Sequence, residues 1–415
     1  MTYDHRRDIH LWSNRNVWIV LCGEFIAGLG LWTSIIANLE FMQHYVPSDF
    51  MKSLILFTGL LAGVLIGPYA GKVIDSHRKK SVLIWAGIGR MVSVCFMFLA
   101  IAQGSVWWMI LFAVCLQISA AFYFPALQSV IPLIVQDKDL IALNGVHMNA
   151  STIARIIGTV AAGMMLSVMS LSALYTASLV AYGLLLVSTY FLDIDEGAKE
   201  DRSQKRKEKQ GGGFKEIVPM LKGMPVALMA LCLSIIPGFF IGSFNLMVIN
   251  ISEMHQDTQI KGWLYASEGV AFILAAFFVK RLSGQRDLLK QLFALSFIIA
   301  AAQGLLFFAH VKWMTLVAFG LFGFAAGFFF PLLSTYFQKS IPKELHGRFF
   351  SFRTMLDRVM FQVVLLAAGF SLDTIGLPYM VLIFSALSLA ILLYGMAHTV
   401  GSTSKRKQDT EKSAI

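Results

Sequence analysis

Apolar residues fill this chain in runs of about 18 to 25, and its polar residues are gathered into short breaks between them. A helix of that length crosses a hydrocarbon core of about 30 Å. The runs fall near 17–39, 52–74, 82–102, 107–131, 143–168, 171–192, 226–250, 262–282, 289–309, 313–336, 348–370 and 376–398. They predict twelve crossings, six on each side of a polar centre. Residues 1–16 form an N-terminal segment, 17–192 the first bundle, 193–225 a linker, 226–398 the second bundle and 399–415 a tail. Gly and Pro inside the runs are no objection, because spanning helices tolerate both.

The chain also repeats part of itself. Ala121-Phe122-Tyr123-Phe124-Pro125-Ala126-Leu127 returns as Gly327-Phe328-Phe329-Phe330-Pro331-Leu332-Leu333, each copy inside an apolar run. A single soluble domain gives no reason for this. Two parallel six-helix halves, whose helices face a central substrate-sized cavity, do.

Composition agrees with a membrane chain. Hydrophobic residues make up 57%, charged residues only 14%, and mean hydropathy is +0.69, against about 25% charged in soluble domains. The net charge of +10 would suggest nucleic acid, but its distribution argues otherwise. With both termini inside, the outer loops hold only Lys52, Lys261 and Lys312. Arg90, Arg155, Arg353 and Arg358 lie within predicted helices, and the other 27 of the 34 Lys and Arg fall on cytoplasmic segments. That asymmetry predicts cytoplasmic termini. The first run is too long for a cleavable signal peptide and holds an acid, so it reads as a retained helix.

Cys22, Cys95, Cys115 and Cys232 all lie in apolar runs without metal-ligand spacing, and are expected to be small buried apolar residues. No metal or cofactor is expected. In the linker, a charge run from Lys199 to Lys209 and then Gly211-Gly212-Gly213 cannot bury a core. Phe214 to Lys222 could form a short interfacial helix, and the tail from Gly401 is expected to be unstructured. The outer loops, such as Gln103-Gly104-Ser105, leave no room for another domain. No Gly-rich loop precedes a Lys-Ser/Thr pair, so uphill transport would draw on an ion gradient or the membrane potential. No nucleophilic arrangement of Ser, His or Cys stands out, and the chain is not read as an enzyme.

The loop after the second run reads Gly71-Lys72-Val73-Ile74-Asp75-Ser76-His77-Arg78-Lys79-Lys80. Gly71 would allow close helix packing, Asp75 would face a helix N-terminus, and the cations would meet anionic headgroups. The Gly71-x-x-x-Asp75 spacing with its basic sequel resembles the signature of the major facilitator superfamily, and its bacterial drug-exporter branch in particular, the macrolide-efflux and enterobactin-exporter-like proteins. Gly28-Leu29-Gly30 with Trp32, Arg90, Phe122-x-x-Pro125-Ala126, Pro132 and Leu140-x-Ala142-x-Asn144 extend the similarity. It implies an all-α fold of twelve transmembrane helices in two pseudo-symmetric bundles, working by alternating access. There are departures. Ser76 stands where the family usually has Arg, Gly158-Thr159 where exporters commonly carry Gly-Pro, and Leu31 where an Asp often precedes the Trp.

Ionisable residues at membrane depth are costly and are functional candidates by default. Glu24, Arg90, Arg155 and Glu268 are assigned to proton coupling or substrate recognition, with Arg90 expected to pair with Glu24 or Asp75. Glu268 lies near the outer end, where it could equally face a water-filled vestibule. Arg353, Asp357 and Arg358, with Gly71, Asp75, Arg78 and Lys79, are expected to act as a cytoplasmic gate. Arg353 and Asp357, at i,i+4, can bridge along one helix face. Phe122, Tyr123, Phe124, Phe328, Phe329 and Phe330 would wall the cavity. His147 reads as structural. The function expected is proton-coupled efflux of amphipathic small molecules, of macrolide or multidrug type and hence bearing on antibiotic resistance, by a chain sufficient as a monomer. Its partners would be the substrate, protons and membrane lipids. The alternative is export of one metabolite, siderophore or lysolipid. A non-transporting receptor is disfavoured, because short loops leave little surface for partners.

Overall fold

A computed structural model describes residues 11–136, 139–194, 221, 224–282, 288–342 and 346–412. Most of the linker predicted at 193–225 therefore lies outside the described residues. Helices α1 to α6 span Arg15–Tyr45, Asp49–Ser76, Lys79–Gln103, Val106–Ile134, Leu140–Leu166 and Leu171–Tyr190. In the second half, α7 to α12 span Pro225–Leu233, Ile235–His255, Ile260–Leu282, Leu288–Leu305, Lys312–Ser340 and His346–Lys412. No strand occurs among the described residues.

Nine helical segments among the described residues are long and apolar enough to cross a membrane, with α7 and α8 counting as one through Ser234. The α5 and α9 helices are also long enough, although Arg155, Lys261 and Glu268 make them more polar. The last helix is long enough for two crossings and breaks at Gly376 (φ 75°, ψ 171°), a backbone conformation open to glycine, two residues before Pro378. Together these reach the predicted twelve.

Helix ends follow local chemistry. Asn14 caps α1 by accepting from the Asn16 N–H at 2.9 Å. Gly104, at φ 60°, closes α3 in a left-handed turn. Beyond Gly401 the structure corrects the sequence reading: α12 runs on to Lys412. Lys, Arg, Gln and Glu in this stretch are all good helix formers, and no Pro interrupts them.

The chain divides into two compact units that each borrow from the other half of the sequence. Unit 1 holds Met1–Pro47, Leu54–Asp201 and Asp257–Trp263; unit 2 holds Ser48–Ser53, Arg202–Gln256 and Leu264–Ile415. In unit 1, α1 packs on α5 and α6, and α3 on α4 and α6. In unit 2, α10 packs on α11 and α12, and α8 on α12.

Small residues set these approaches, as expected where lipid gives helices no hydrophobic reason to associate. A Cβ at Gly28 would lie 2.9 Å from that of Ala154, and one at Gly158 would lie 3.0 Å from the Leu29 carbonyl. Gly28 and the Leu29 backbone of the first helix thus meet small residues of the fifth, while Gly30 meets Ala181 and Ser178 of the sixth. Gly71 departs from expectation, because a Cβ there would meet no described atom within 4 Å. The cysteines depart too: Cys22 and Cys95 are exposed, and Cys115 and Cys232 are half-buried. An apolar side chain on the outside of a lipid-facing bundle incurs no cost, so apolarity did not predict burial. In unit 2, Gly323 lies directly against the Glu268 carbonyl. Gly323→Ala is expected to lower stability by about 1–3 kcal/mol, read as a falling melting temperature in detergent. Gly71→Ala should leave it unchanged or raise it.

Each borrowed segment carries a buried lysine. In unit 2, the Asp373 carboxylate accepts from the Asp49 and Phe50 N–H groups at 2.7 and 3.0 Å and from the Ser48 hydroxyl at 2.5 Å, capping α2. Lys52 is 2% exposed, with Nζ 3.0 Å from Asp49 Oδ1 and 3.3 Å from Glu253 Oε1. Asn250 donates to the other Asp49 oxygen at 3.0 Å. In unit 1, Lys261 is fully buried and donates to Glu40 and Gln43. The charge pattern counts Lys52 and Lys261 among the outer-loop cations; both instead lie inside helices, α2 starting at Asp49 and α9 at Ile260.

Candidate functional site

The chemistry gathers in unit 1, where four helices bring polar groups to one place. The α1 helix supplies Glu24, α3 Arg90, α4 Tyr123 and Phe124, and α5 His147. The approach of α3 to its neighbours depends on glycine: Gly89 lies against the Ser119 hydroxyl of α4, and a Cβ at Gly87 would meet Leu186 of α6 at 3.2 Å. Arg90 follows directly, and so enters the bundle.

Glu24 is 8% exposed. Tyr123 donates its hydroxyl hydrogen to Glu24 Oε1 at 2.5 Å. On the other carboxylate oxygen, His147 Nε2 stands 3.7 Å away, buried and without a hydrogen bond. A shift of roughly 0.5–1 Å would close that gap to a hydrogen bond. Arg90 is 5% exposed and makes no ion pair with a described residue. Its guanidinium lies 4.0 Å from the Tyr123 ring centroid, 5.0 Å from that of Phe124 and 5.9 Å from that of Tyr182. Cation–π attraction therefore replaces the ion pair expected with Glu24. The Asp75 side chain lies outside the described residues.

The result is a chain of contacts from Arg90 over the Tyr123 ring, through its hydroxyl to Glu24, and on to His147. An ionised carboxylate out of water is costly unless paired and hydrogen-bonded. Here one hydroxyl, whose ring carries the Arg90 guanidinium, and one imidazole share that task. His147, read from sequence as structural, is the member that reading missed. It lies 123 positions from Glu24, and no local spacing links them.

The remaining candidates fall elsewhere. Arg155 stands 5.7 Å over the Trp32 ring in unit 1. Glu268 belongs to unit 2 and is buried, not open to a vestibule. Of the aromatic runs, Tyr123, Phe328 and Phe329 are sealed in packing, Phe122 and Phe330 are half-buried, and Phe124 alone is exposed. A continuous aromatic wall is therefore not formed; consecutive helical residues point in different directions, so a run of three cannot all face one cavity. Arg353 and Asp357 do bridge within α12, at 3.7 Å, and Arg353 lies over Phe337. Arg358 is exposed. Arg78 is exposed at the start of α3, where it makes no side-chain cap. Lys79 is half-buried beside it. Among the described residues no group of three His, Cys, Asp or Glu could hold a metal ion.

Comparison with known proteins bears on this arrangement. The family model described as Major Facilitator Superfamily matches residues 20–361. An uncharacterized MFS-type transporter of Bacillus subtilis (strain 168), YfiS, is 22% identical over 351 residues, covering 81% of this chain and 82% of that one. The lysophospholipid transporter LplT of Serratia proteamaculans (strain 568) is 25% identical over 181 residues, 43% of each chain. That of Yersinia pestis (strain Pestoides F) is 23% identical over 205 residues, 48% of each. The chain thus matches less than half the length of these two relatives. Among solved structures, the nucleoside transporter NupG aligns over 92% of this chain and 98% of its own with a TM-score of 0.68 at 14% identity. A bacterial homologue of the iron transporter ferroportin, in an inward-facing state, aligns over 92% and 98% with a TM-score of 0.64 at 15% identity.

Proposed function

The chain belongs to the Major Facilitator Superfamily, and from that membership we propose that it is a proton-coupled exporter of amphipathic small molecules in the bacterial plasma membrane. It is a multi-pass transporter with the major facilitator fold. The observation that carries the coupling is Glu24, a buried carboxylate held by Tyr123 at 2.5 Å with His147 at 3.7 Å. A proton taken up there changes the balance between conformations only if the two states bind it differently. The open hydrogen-bond position of His147 supports such a difference. One state leaves Nε2 without a partner; another can join it to the carboxylate.

The substrate class proposed first for such an amphipath carrier is a macrolide or lipophilic drug. A second reading, export of a defined amphiphile such as a lysophospholipid, is supported by the two LplT relatives over part of the chain. It is also supported by Arg90, a cation without an ion pair among the described residues, which an anionic headgroup could use.

The test is efflux from intact cells under an imposed proton gradient. The panel holds a macrolide, a lipophilic cationic dye, a catecholate siderophore and a fluorescent lysophospholipid. Lower accumulation of one compound, abolished when the gradient is collapsed, is the expected result, and it names the class. Glu268→Gln should leave the gradient dependence intact. Accumulation equal to that of empty cells for all four compounds, with the protein expressed and folded, would overturn the reading.

A further inference from the structure

We infer that Asn245, oriented by Tyr265, is a substrate-recognition residue: its amide N–H groups read a neutral carbonyl oxygen, of the ester or lactone kind, on the transported amphiphile. The inference deepens the transport reading and rests on it, but its main readout is binding, which needs no flux.

The orientation of the amide comes first. Asn245 stands at the middle of α8, a depth at which a polar side chain is costly and calls for a role. Tyr265 of α9 donates its hydroxyl hydrogen to Asn245 Oδ1. With the oxygen taken, Nδ2 is turned away from the phenol and carries two donors. Asn245 makes no other hydrogen bond with a described residue. The phenol itself is held by packing. Tyr265 is buried, the Phe244 ring lies 4.8 Å from it, and the Phe319 ring lies 4.8 Å from that of Phe244.

The space beside the amide comes second. No residue of α8 from Ile235 to Ser252 is exposed. A helix on the lipid side looks different: on α11, Val317 is 51% and Leu321 39% exposed. The open part of α8 is instead a stripe of half-buried residues. Gly238, Ile241 and Asn245 recur at intervals of three and four, and so share one face. A Cβ at Gly238 would meet no described atom within 4 Å. Beyond Asn245 the helix is sealed, with Val248 and Ile249 fully buried. The face is thus an apolar slot with room at Gly238 and amide donors at its closed end. A donor left bare in such a slot is costly, and an acceptor on a bound molecule removes that cost.

The charge around the amide gives the chemical class. No Lys or Arg lies on α8, and its one acid, Glu253, comes after the sealed residues. This face therefore has nothing to pair with a phosphate or with a cationic dye. A neutral donor suits a neutral acceptor on an apolar body. The lactone of a macrolide and the acyl ester of a lysophospholipid have that group in common.

The experiment measures binding to the purified full-length chain in nanodiscs. The probes are an acyl lysophospholipid, its alkyl-ether analogue without the carbonyl, and a macrolide. The parent should bind the acyl form about five- to tenfold more tightly than the ether, the ratio set by one neutral hydrogen bond. Asn245→Leu, which removes the donors, should bring the two within twofold. Asn245→Asp should do the same with a melting temperature close to the parent's, since its carboxylate keeps the shape and still accepts from Tyr265. Macrolide binding weakened in the same variants assigns the lactone to this amide; macrolide binding unchanged beside a lost acyl preference assigns the acyl ester. An acyl preference that survives in folded Asn245→Asp would overturn the inference. So would a parent that binds both lysophospholipids equally while the variants bind the macrolide as the parent does, and so would a folded parent that binds none of the three. Carbonyl-selective binding by a parent that exports none of them would remove the transport reading and leave the recognition site standing.

Discussion

Glu24→Gln is expected to abolish gradient-driven transport, by about 100-fold or more, the rate equivalent of roughly 2.7 kcal/mol. The substitution is close to isosteric, and the new amide oxygen still accepts from the Tyr123 hydroxyl, so the packing around Arg90 is kept. It removes the only carboxylate in the contact chain, and with it the group that can gain or lose a proton between Tyr123 and His147. Tyr123→Phe should act more weakly. It deletes a single hydrogen bond, worth about 1.5–3 kcal/mol when it goes to a charged group, and leaves the carboxylate in place. The separating measurement compares net flux under a proton gradient with substrate exchange at equal pH on both sides. Exchange should survive in Glu24→Gln while net flux does not. Net flux within twofold of the parent would remove Glu24 from the coupling step.

The second large effect concerns stability. Glu40→Ala takes a carboxylate from Lys261, a fully buried cation that also donates to Gln43. Removing one partner of a buried ion pair costs about 3–5 kcal/mol, because the remaining charge stays out of water. A melting temperature lowered accordingly is expected in detergent, and most of the loss should return when Lys261→Met is added. A double variant as unstable as Glu40→Ala alone would mean that the pair was not the source of the effect.

The fold was legible in the sequence for a simple reason. Lipid demands long uninterrupted apolar helices, so the crossings and the internal repeat could be read directly. Direction around each helix was not legible. In a soluble helix, polar positions reveal the outer face; here the lipid-facing and packed faces are both apolar, and periodicity says nothing about which way a residue points. That is why Phe328 and Phe329, expected in a cavity wall, are sealed in packing, and why Cys22 and Cys95, expected to be buried, face outward. The site was half legible. Glu24 and Arg90 declared themselves because a charge in an apolar run needs a reason. Their true partners did not, since Tyr123 and His147 lie 99 and 123 positions from Glu24. Lys52 and Lys261 were counted as loop charges that set topology. The acid one turn before each, Asp49 and Asp257, in matching places of the two halves, was the available signal.

The borrowed segments also dictate an order of assembly. Unit 1 takes in Asp257–Trp263, which leaves the ribosome only after about 60 further residues beyond Asp201, about 3–12 s at typical synthesis rates of ~5–20 residues per second. For that interval Glu40 is in the nascent bundle without the cation that will cover it. The first six helices can therefore insert early, but their bundle is finished only when the ninth helix begins, and the two halves of this polypeptide mature together.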